Sequence, residues 1–283
     1  MTIKLIASDM DGTFLNDKGT YNRQKFETIL KQLDERDIKF VVASGNNMDR
    51  LNLIFKGLTD RLDFVAENGA HVIFKGENLN RHKINAKDVT LFLDYYKDFL
   101  DRYAVMVSSK DKSYMQKNAK LPTAMAIDPE EFHQFFLKIK QVDDFSEIDK
   151  HQVLKITMML PEEICDAVIA DFNDNFPGDL TAVTSGFGAV DVIQTGIHKA
   201  CGLQLLMDKY DISSDEIMAF GDGGNDIEML KLAKYSYAME NAPQSVKDAA
   251  KFIAPHHHEE GVLQILETFL VQVSAEEDSD FNT

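Results

Sequence analysis

The chain opens on a short apolar run, Lys4–Ser8, that breaks at Asp9. From Asn22 to Glu35 the apolar residues Phe26, Ile29, Leu30 and Leu33 recur at helical spacing, one face of a helix. Apolar, β-branched runs follow at Phe40–Ala43 and Asp63–Ala66, the second ended by Asn68-Gly69. Strands parted by a helix of about a dozen residues predict βαβ units and a parallel sheet. The last third returns to that rhythm, with strands at Val190–Ile193, Ile217–Phe220 and Tyr235–Met239 and helices at His198–Lys209 and Asn225–Ala233.

The middle has a different texture. Ala104–Val107, Val153–Leu160 and Leu180–Thr184 read as strands, and Asp88–Tyr103, Pro129–Gln141 and Pro161–Phe176 as helices. The last two helices begin with proline, which suits a first helical turn. This mixture predicts an antiparallel α+β domain inserted into the first. The expected division is core 1–82, cap 83–188 and core 189–273. The tail, 274–283, carries Glu276, Glu277, Asp278 and Asp280 with little to bury and is expected to be disordered. No internal repeat is visible.

Composition narrows the class. Hydrophobic residues make up 44% of the 283 and charged residues 27%, ordinary for a soluble globular protein. No apolar run approaches the roughly 18–20 residues of a membrane span, and the N-terminus turns acidic too soon for a signal peptide. The two cysteines, Cys165 and Cys201, read as small buried residues and fit a reducing cytoplasm. A net charge of −17 argues against nucleic-acid and anionic-membrane partners. It would also repel an anionic ligand, so a site for one needs its own metal ion and cation.

Asp9-Met10-Asp11-Gly12-Thr13 follows the first strand immediately. In a parallel sheet, ligands bind at the C-terminal ends of strands. One carboxylate would sit at a strand tip and another on the next turn, with Gly12 freeing the backbone to aim N–H groups at an anion. Three further strand ends carry matching chemistry: Ser44-Gly45 after Val41–Ala43, Lys199 at a predicted helix start, and Gly221-Asp222-Gly223-Gly224-Asn225-Asp226 after Ile217–Phe220. Helix dipoles disfavour a cation at Lys199, so a surface lysine is the bland reading; a bound phosphate reverses that preference.

Asp9–Thr13, Ser44, Lys199 and Gly221-Asp222 with Asn225-Asp226 resemble the four motifs of the haloacid dehalogenase superfamily. The long insertion after the second motif is similar to that of the bacterial Cof-type sugar phosphatases, over nearly the whole chain. The resemblance implies a Rossmann-like α/β core with a movable cap. It implies Asp9 as nucleophile, forming an aspartyl-phosphate, and Asp11 as general acid and then base. Met10, Ser44, Gly45, Lys199 and Asn225 are the implied phosphate contacts. Asp9, the Asp11 carbonyl and Asp222 are the implied Mg²⁺ ligands, with Thr13 and Asp226 supporting. A small phosphorylated metabolite, a sugar phosphate foremost, and a monomer complete the expectation. Asn46, Ala200 and Glu240 depart from residues common in relatives, and none removes a catalytic group.

Other signals are discounted. His256-His257-His258 lacks a second ligand cluster, and neighbours do not share a helix face. Neither Gly221–Gly224 nor 186–188 fits a nucleotide fingerprint; Ser185–Gly188 reads as the cap's hinge. The Tyr95-Tyr96 and Phe135-Phe136 pairs are expected to pack within the cap. Two readings compete: a phosphomutase, which must also hold a bisphosphate, and a non-enzymatic phospho-receiver. A binding-only relative is disfavoured by the complete set of motifs.

Overall fold

The computed structural model describes residues 2–110, 112–120, 134, 136–186 and 188–280. The first stretch supplies β1 (Leu5–Ser8), α1 (Arg23–Glu35), β2 (Lys39–Ala43), α2 (Met48–Ile54), β3 (Asp63–Ala66), β4 (His71–Phe74) and β5 (Glu77–Arg81). The middle supplies α3 (Ala86–Tyr95), β6 (Met106–Ser109), β7 (Ser113–Gln116), β8 (Lys140–Val142), β9 (Val153–Met159), α4 (Glu162–Asn175), β10 (Leu180–Thr184) and β11 (Ala189–Gln194). The last third supplies α5 (Lys199–Tyr210), β12 (Ile217–Gly221), α6 (Ile227–Leu232), β13 (Tyr235–Met239), α7 (Gln244–Lys247), β14 (Phe252–Ala254) and α8 (Gly261–Asp280).

The core sheet runs β14-β13-β12-β1-β2-β3-β4-β5. It is parallel from β14 to β3 and antiparallel beyond. Alternate side chains enter opposite layers. Leu5, Ala7, Val41 and Val65 meet Leu203, Leu206, Met229 and Leu230. Ile6, Phe40, Val42 and Phe64 meet Phe26, Leu30, Leu266 and Phe269. Helices on both faces are why these strands read as unbroken apolar runs. Each large side chain that α1 buries contributes roughly 1.5–3 kcal/mol. Asn22 caps α1 by accepting from the Lys25 amide at 3.2 Å.

The second sheet runs β10-β11-β9-β6-β7-β8, antiparallel except between β7 and β8. Here one face is apolar and the other is mixed. Val107, Ile156, Met158, Val190 and Val192 pack with Phe92 of α3, Tyr96 just past it and Phe172 of α4. The intervening residues, Met106, Ser108, Lys155, Thr157, Met159 and Asp191, face a cleft above the core's strand tips.

The structure corrects several boundaries. Val190–Ile193, expected in the parallel core, belongs to the second sheet as β11. Asp191 between Val190 and Val192 is the mark of a strand buried on one face by apolar groups and on the other by polar ones. Ser185, Gly186 and Gly188 therefore lie within the β10–β11 hairpin rather than at the cap's return. The two connections between the sheets are residues 82–85 and 195–198. The acidic segment expected to be disordered continues α8 to Asp280, because a helix already nucleated by packed turns gains a hydrogen bond with each added residue; residues 281–283 lie outside the described residues. The helix expected over Asp88–Tyr103 stops at Tyr95, and Ala104 (φ 38°) turns the chain into β6. Of the helix expected over Pro129–Gln141, residues 129–133 and 135 lie outside the described residues, and Lys140 and Gln141 begin β8.

Candidate active site

Parallel pairing of β2, β1 and β12 brings their C-terminal tips together. Asp9 stands just past β1, its N–H donating to the Phe220 carbonyl at 3.0 Å. Lys199, at the first position of α5, is fully buried. Its Nζ lies 2.5 Å from Asp9 Oδ1 and 2.6 Å from Asp226 Oδ1. These carboxylates overcome the unfavourable helix dipole at that position. Burial alone would lower the Lys199 ammonium; Asp226 and Asp9 outweigh it and hold it above the ordinary lysine value.

The centre nevertheless has too little positive charge. Among the described residues, carboxylate oxygens of Asp9, Asp222 and Asp226 gather within 4.8 Å of one another around a single ammonium. Burial, then the Asp226 and Asp222 charges, pushes the Asp9 carboxyl well above the usual range against the pull of Lys199. Burial and Asp226 push Asp222 up to about 7. An all-oxygen donor set with excess negative charge fits a hard divalent cation such as Mg²⁺.

The surrounding bonds divide the three acids by role. Asp226 Oδ2 accepts from the amides of Asp222 (3.0 Å) and Gly223 (2.9 Å), so both its oxygens are committed within the protein. Thr13 Oγ1 donates to Asp222 Oδ1 at 2.7 Å. Asn241 donates to the Gly12 carbonyl at 2.8 Å and to Asp222 Oδ2 at 3.3 Å. Gly12 (φ 79°) passes so close to Asp222 that a Cβ there would collide with its carboxylate. The Met10 side chain is fully buried in the apolar core, which leaves only its backbone to meet a ligand.

The second strand tip is cross-braced. Ser44 Oγ accepts from the Asn46 amide at 3.1 Å and from Asn46 Nδ2 at 3.0 Å. Asn46 Nδ2 also reaches Asp11 Oδ2 at 2.6 Å. Arg50, from α2, holds both Asp11 oxygens, at 2.8 and 3.1 Å. It also donates to Asn46 Oδ1 at 2.7 Å. Asn225 donates to Asn68 at 2.9 Å, and Asn68 donates to Asp191 of the cap at 2.7 Å.

A cleft of about 840 Å³, its open mouth included, lies between the sheets. Asp9, Asp11, Ser44, Gly45 and Asn225 line it, with Arg50, Glu67, Lys155, Thr157 and Asp191. Lys199, Asp222 and Asp226 are not in its lining. Sequence reasoning did not single out Arg50, Glu67, Asn68, Lys155, Asp191 or Asn241. Of these, Lys155 and Asp191 carried a signal, each a charge set within an alternating apolar strand.

The model of the haloacid dehalogenase-like hydrolases matches residues 6–266. The chain belongs to this family. It is 36% identical over 270 residues to a 5-amino-6-(5-phospho-D-ribitylamino)uracil phosphatase of Escherichia coli, covering 95% of this chain and 97% of that one. A solved structure from Streptococcus mutans UA159 shares 39% identity at a TM-score of 0.84, over 95% of this chain and 100% of that one. A sugar phosphatase of HAD subclass IIB shares the fold, at 23% identity and a TM-score of 0.76, over 94% and 98%. The protein is a phosphatase of the haloacid dehalogenase family, with a Rossmann-like core and an inserted α+β cap.

Two side features differ from expectation. His256, His257 and His258 come together despite being consecutive, because a tight turn precedes α8. His257 is tied by Nδ1 to the Leu15 carbonyl at 2.8 Å and by Nε2 to Asp17 at 3.2 Å. Cys201 is only half-buried, with its Sγ 3.2 Å from the Gly196 carbonyl; neither cysteine is in a disulfide. Among the described residues, no helix is long and apolar enough to cross a membrane.

Proposed function

We propose that this phosphatase hydrolyses small phosphate monoesters, sugar phosphates foremost, with Mg²⁺ and through an aspartyl-phosphate on Asp9. The observation that carries this reading is Lys199, a buried ammonium shared by Asp9 and Asp226 at the tips of converging parallel strands. That contact restrains the Asp9 carboxylate and leaves a cation beside the position where phosphorus would gain charge.

Asp9 attacks the phosphorus in line, and the ester oxygen departs with a proton from Asp11. Asp11 then takes a proton from the water that opens the acyl phosphate. To reach that oxygen Asp11 must give up at least one of its bonds to Arg50. Ser44, the Gly45 amide and Asn225 hold the phosphoryl oxygens. Asp226 positions Lys199, and Thr13 and Asn241 position Asp222. Asp9, the Asp11 carbonyl and Asp222 would hold Mg²⁺, which when bound offsets the charge on these carboxylates and on the phosphate.

A sugar or polyol phosphate suits the cleft, and the Escherichia coli relative is named for a substrate carrying a phosphoribityl chain. The acidic surface and the paucity of cysteines favour a cytoplasmic enzyme working as a monomer on a metabolite rather than on nucleic acid. The phosphomutase reading is weaker, since the cations lining the described part of the cleft, Arg50 and Lys155, already face carboxylates rather than a second phosphate.

Acid quenching during turnover, followed by mass spectrometry of the peptide containing Asp9, tests the covalent step. A phosphoryl adduct on Asp9 is expected. Turnover without any such adduct, under conditions that trap acyl phosphates, would remove Asp9 from the nucleophile's place.

A further inference from the structure

Lys155, on β9 of the cap, is 4% exposed, and its ammonium crosses the cleft to the core. It donates to the Gly45 carbonyl on the phosphate-side loop and lies 3.1 Å from Asp191. It also pairs with Glu67, just past β3, at 3.3 Å. Asp191 is 1% exposed and accepts from Thr157 Oγ1 at 2.7 Å. Gly45 approaches so near that a Cβ there would stand 2.8 Å from Asp191 Oδ2.

Burying an ammonium with two carboxylates is costly, and apolar residues of similar size would often hold two units together as well. The cluster is therefore better explained by recognition than by stability. Register makes it a surface rather than a scatter: Ser108 pairs with Lys155, and Thr157 lies between Met106 and Asp191. All of these residues line the cleft that begins at Asp9.

We propose that Lys155, Thr157 and Asp191, with Glu67, form the leaving-group site, and that they select uncharged polyhydroxylated leaving groups over those bearing a second anion. This rests on the phosphatase reading above. A hydroxyl both donates and accepts, so vicinal hydroxyls can satisfy carboxylate, ammonium and threonine hydroxyl together. A second phosphate or carboxylate would face Asp191 and Glu67. The cations lining the described part of the cleft are committed, Lys155 to those two acids and Arg50 to Asp11.

The same groups tie this site to the phosphate end. Asn225 bonds Asn68, Asn68 bonds Asp191, Asp191 pairs with Lys155, and Lys155 holds the Gly45 carbonyl. The leaving-group site is thus assembled only when the cap rests on the core.

The experiment measures kcat/KM with Mg²⁺ for wild type, Lys155→Met, Thr157→Val and Asp191→Asn on glucose 6-phosphate, fructose 6-phosphate, fructose 1,6-bisphosphate and p-nitrophenyl phosphate. The ratio of glucose 6-phosphate to p-nitrophenyl phosphate should fall about 10- to 100-fold in Lys155→Met and Thr157→Val, as expected when one buried polar partner is lost. Wild type should favour fructose 6-phosphate over the bisphosphate by about 10-fold or more, and Asp191→Asn should narrow that gap. Thr157→Val keeps the side-chain shape, so it carries the test if Lys155→Met fails to fold. An unchanged ratio in Thr157→Val, or a wild type that prefers the bisphosphate, overturns the proposal. No release from any of the four by wild type would count instead against the small sugar-phosphate reading on which it rests.

Discussion

Replacing Lys199 with Met removes the ammonium buried among Asp9, Asp222 and Asp226. Breaking a buried pair by deleting one partner typically costs about 3–5 kcal/mol, because it strands the other charge. Here two partners are stranded, Asp9 at 2.5 Å and Asp226 at 2.6 Å, with Asp226 wholly buried. A loss near 4 kcal/mol is expected, a large share of the roughly 5–15 kcal/mol typical of a domain. The Lys199→Met/Asp226→Asn double variant removes one stranded charge and should recover about half of that loss. Activity should stay lost in both, since the Asp9 cation is gone in each. Urea unfolding in EDTA, at constant pH, reads the stabilities. A single variant within about 1 kcal/mol of wild type, or a double variant no more stable than the single, would refute the electrostatic account.

Three other outcomes follow from particular contacts. Arg50→Met takes the guanidinium from both Asp11 oxygens and leaves Asn46 alone to hold Oδ2, which should lower kcat about 10-fold or more by misplacing the acid; steady-state kinetics showing an unchanged kcat would make that pairing merely structural. Gly12→Ala strains a backbone at φ 79° and drives a Cβ into Asp222. It should raise the Mg²⁺ concentration needed for half-maximal activity while Asp9 stays intact, and an unchanged metal requirement would dissociate Gly12 from Asp222. His71, in β4, is pushed below its ordinary 6.5, first by burial and then by Arg81, against its bond to Asn78. The unfolded chain therefore binds a proton first, so stability is lost as pH falls from 6.5 toward the lower folded value. His71→Gln should flatten that part of the denaturation profile, and an identical slope in the variant would count against the shift.

Much of the core was legible because its strands are buried on both faces and three of its four motifs stand where those strands end; Lys199 instead opens α5 after the connection from β11. Asp63–Ala66 and Tyr235–Met239 occur with the bounds their apolar runs suggested. β11 was misplaced for a physical reason: a strand of four apolar-rich residues looks alike in either sheet, and only Asp191 hinted at a one-sided strand. The Arg50–Asp11 clamp depends on how α2 packs against the Asp9–Thr13 loop, a distance in sequence that periodicity does not span. The same holds for Asn68, which joins Asn225 to the cap through side chains from three separate elements. The tail was misread because composition weighs its acidic residues and ignores the helix already anchored by Leu266 and Phe269.

The most direct test of the central claim is phosphate release from sugar, polyol, nucleotide and cofactor phosphates with Mg²⁺, beside EDTA and Asp9→Asn controls. The account predicts release from sugar or polyol phosphates that stops in EDTA and in Asp9→Asn, whose amide cannot form the acyl phosphate. Release that persists at near wild-type rate in Asp9→Asn would contradict it.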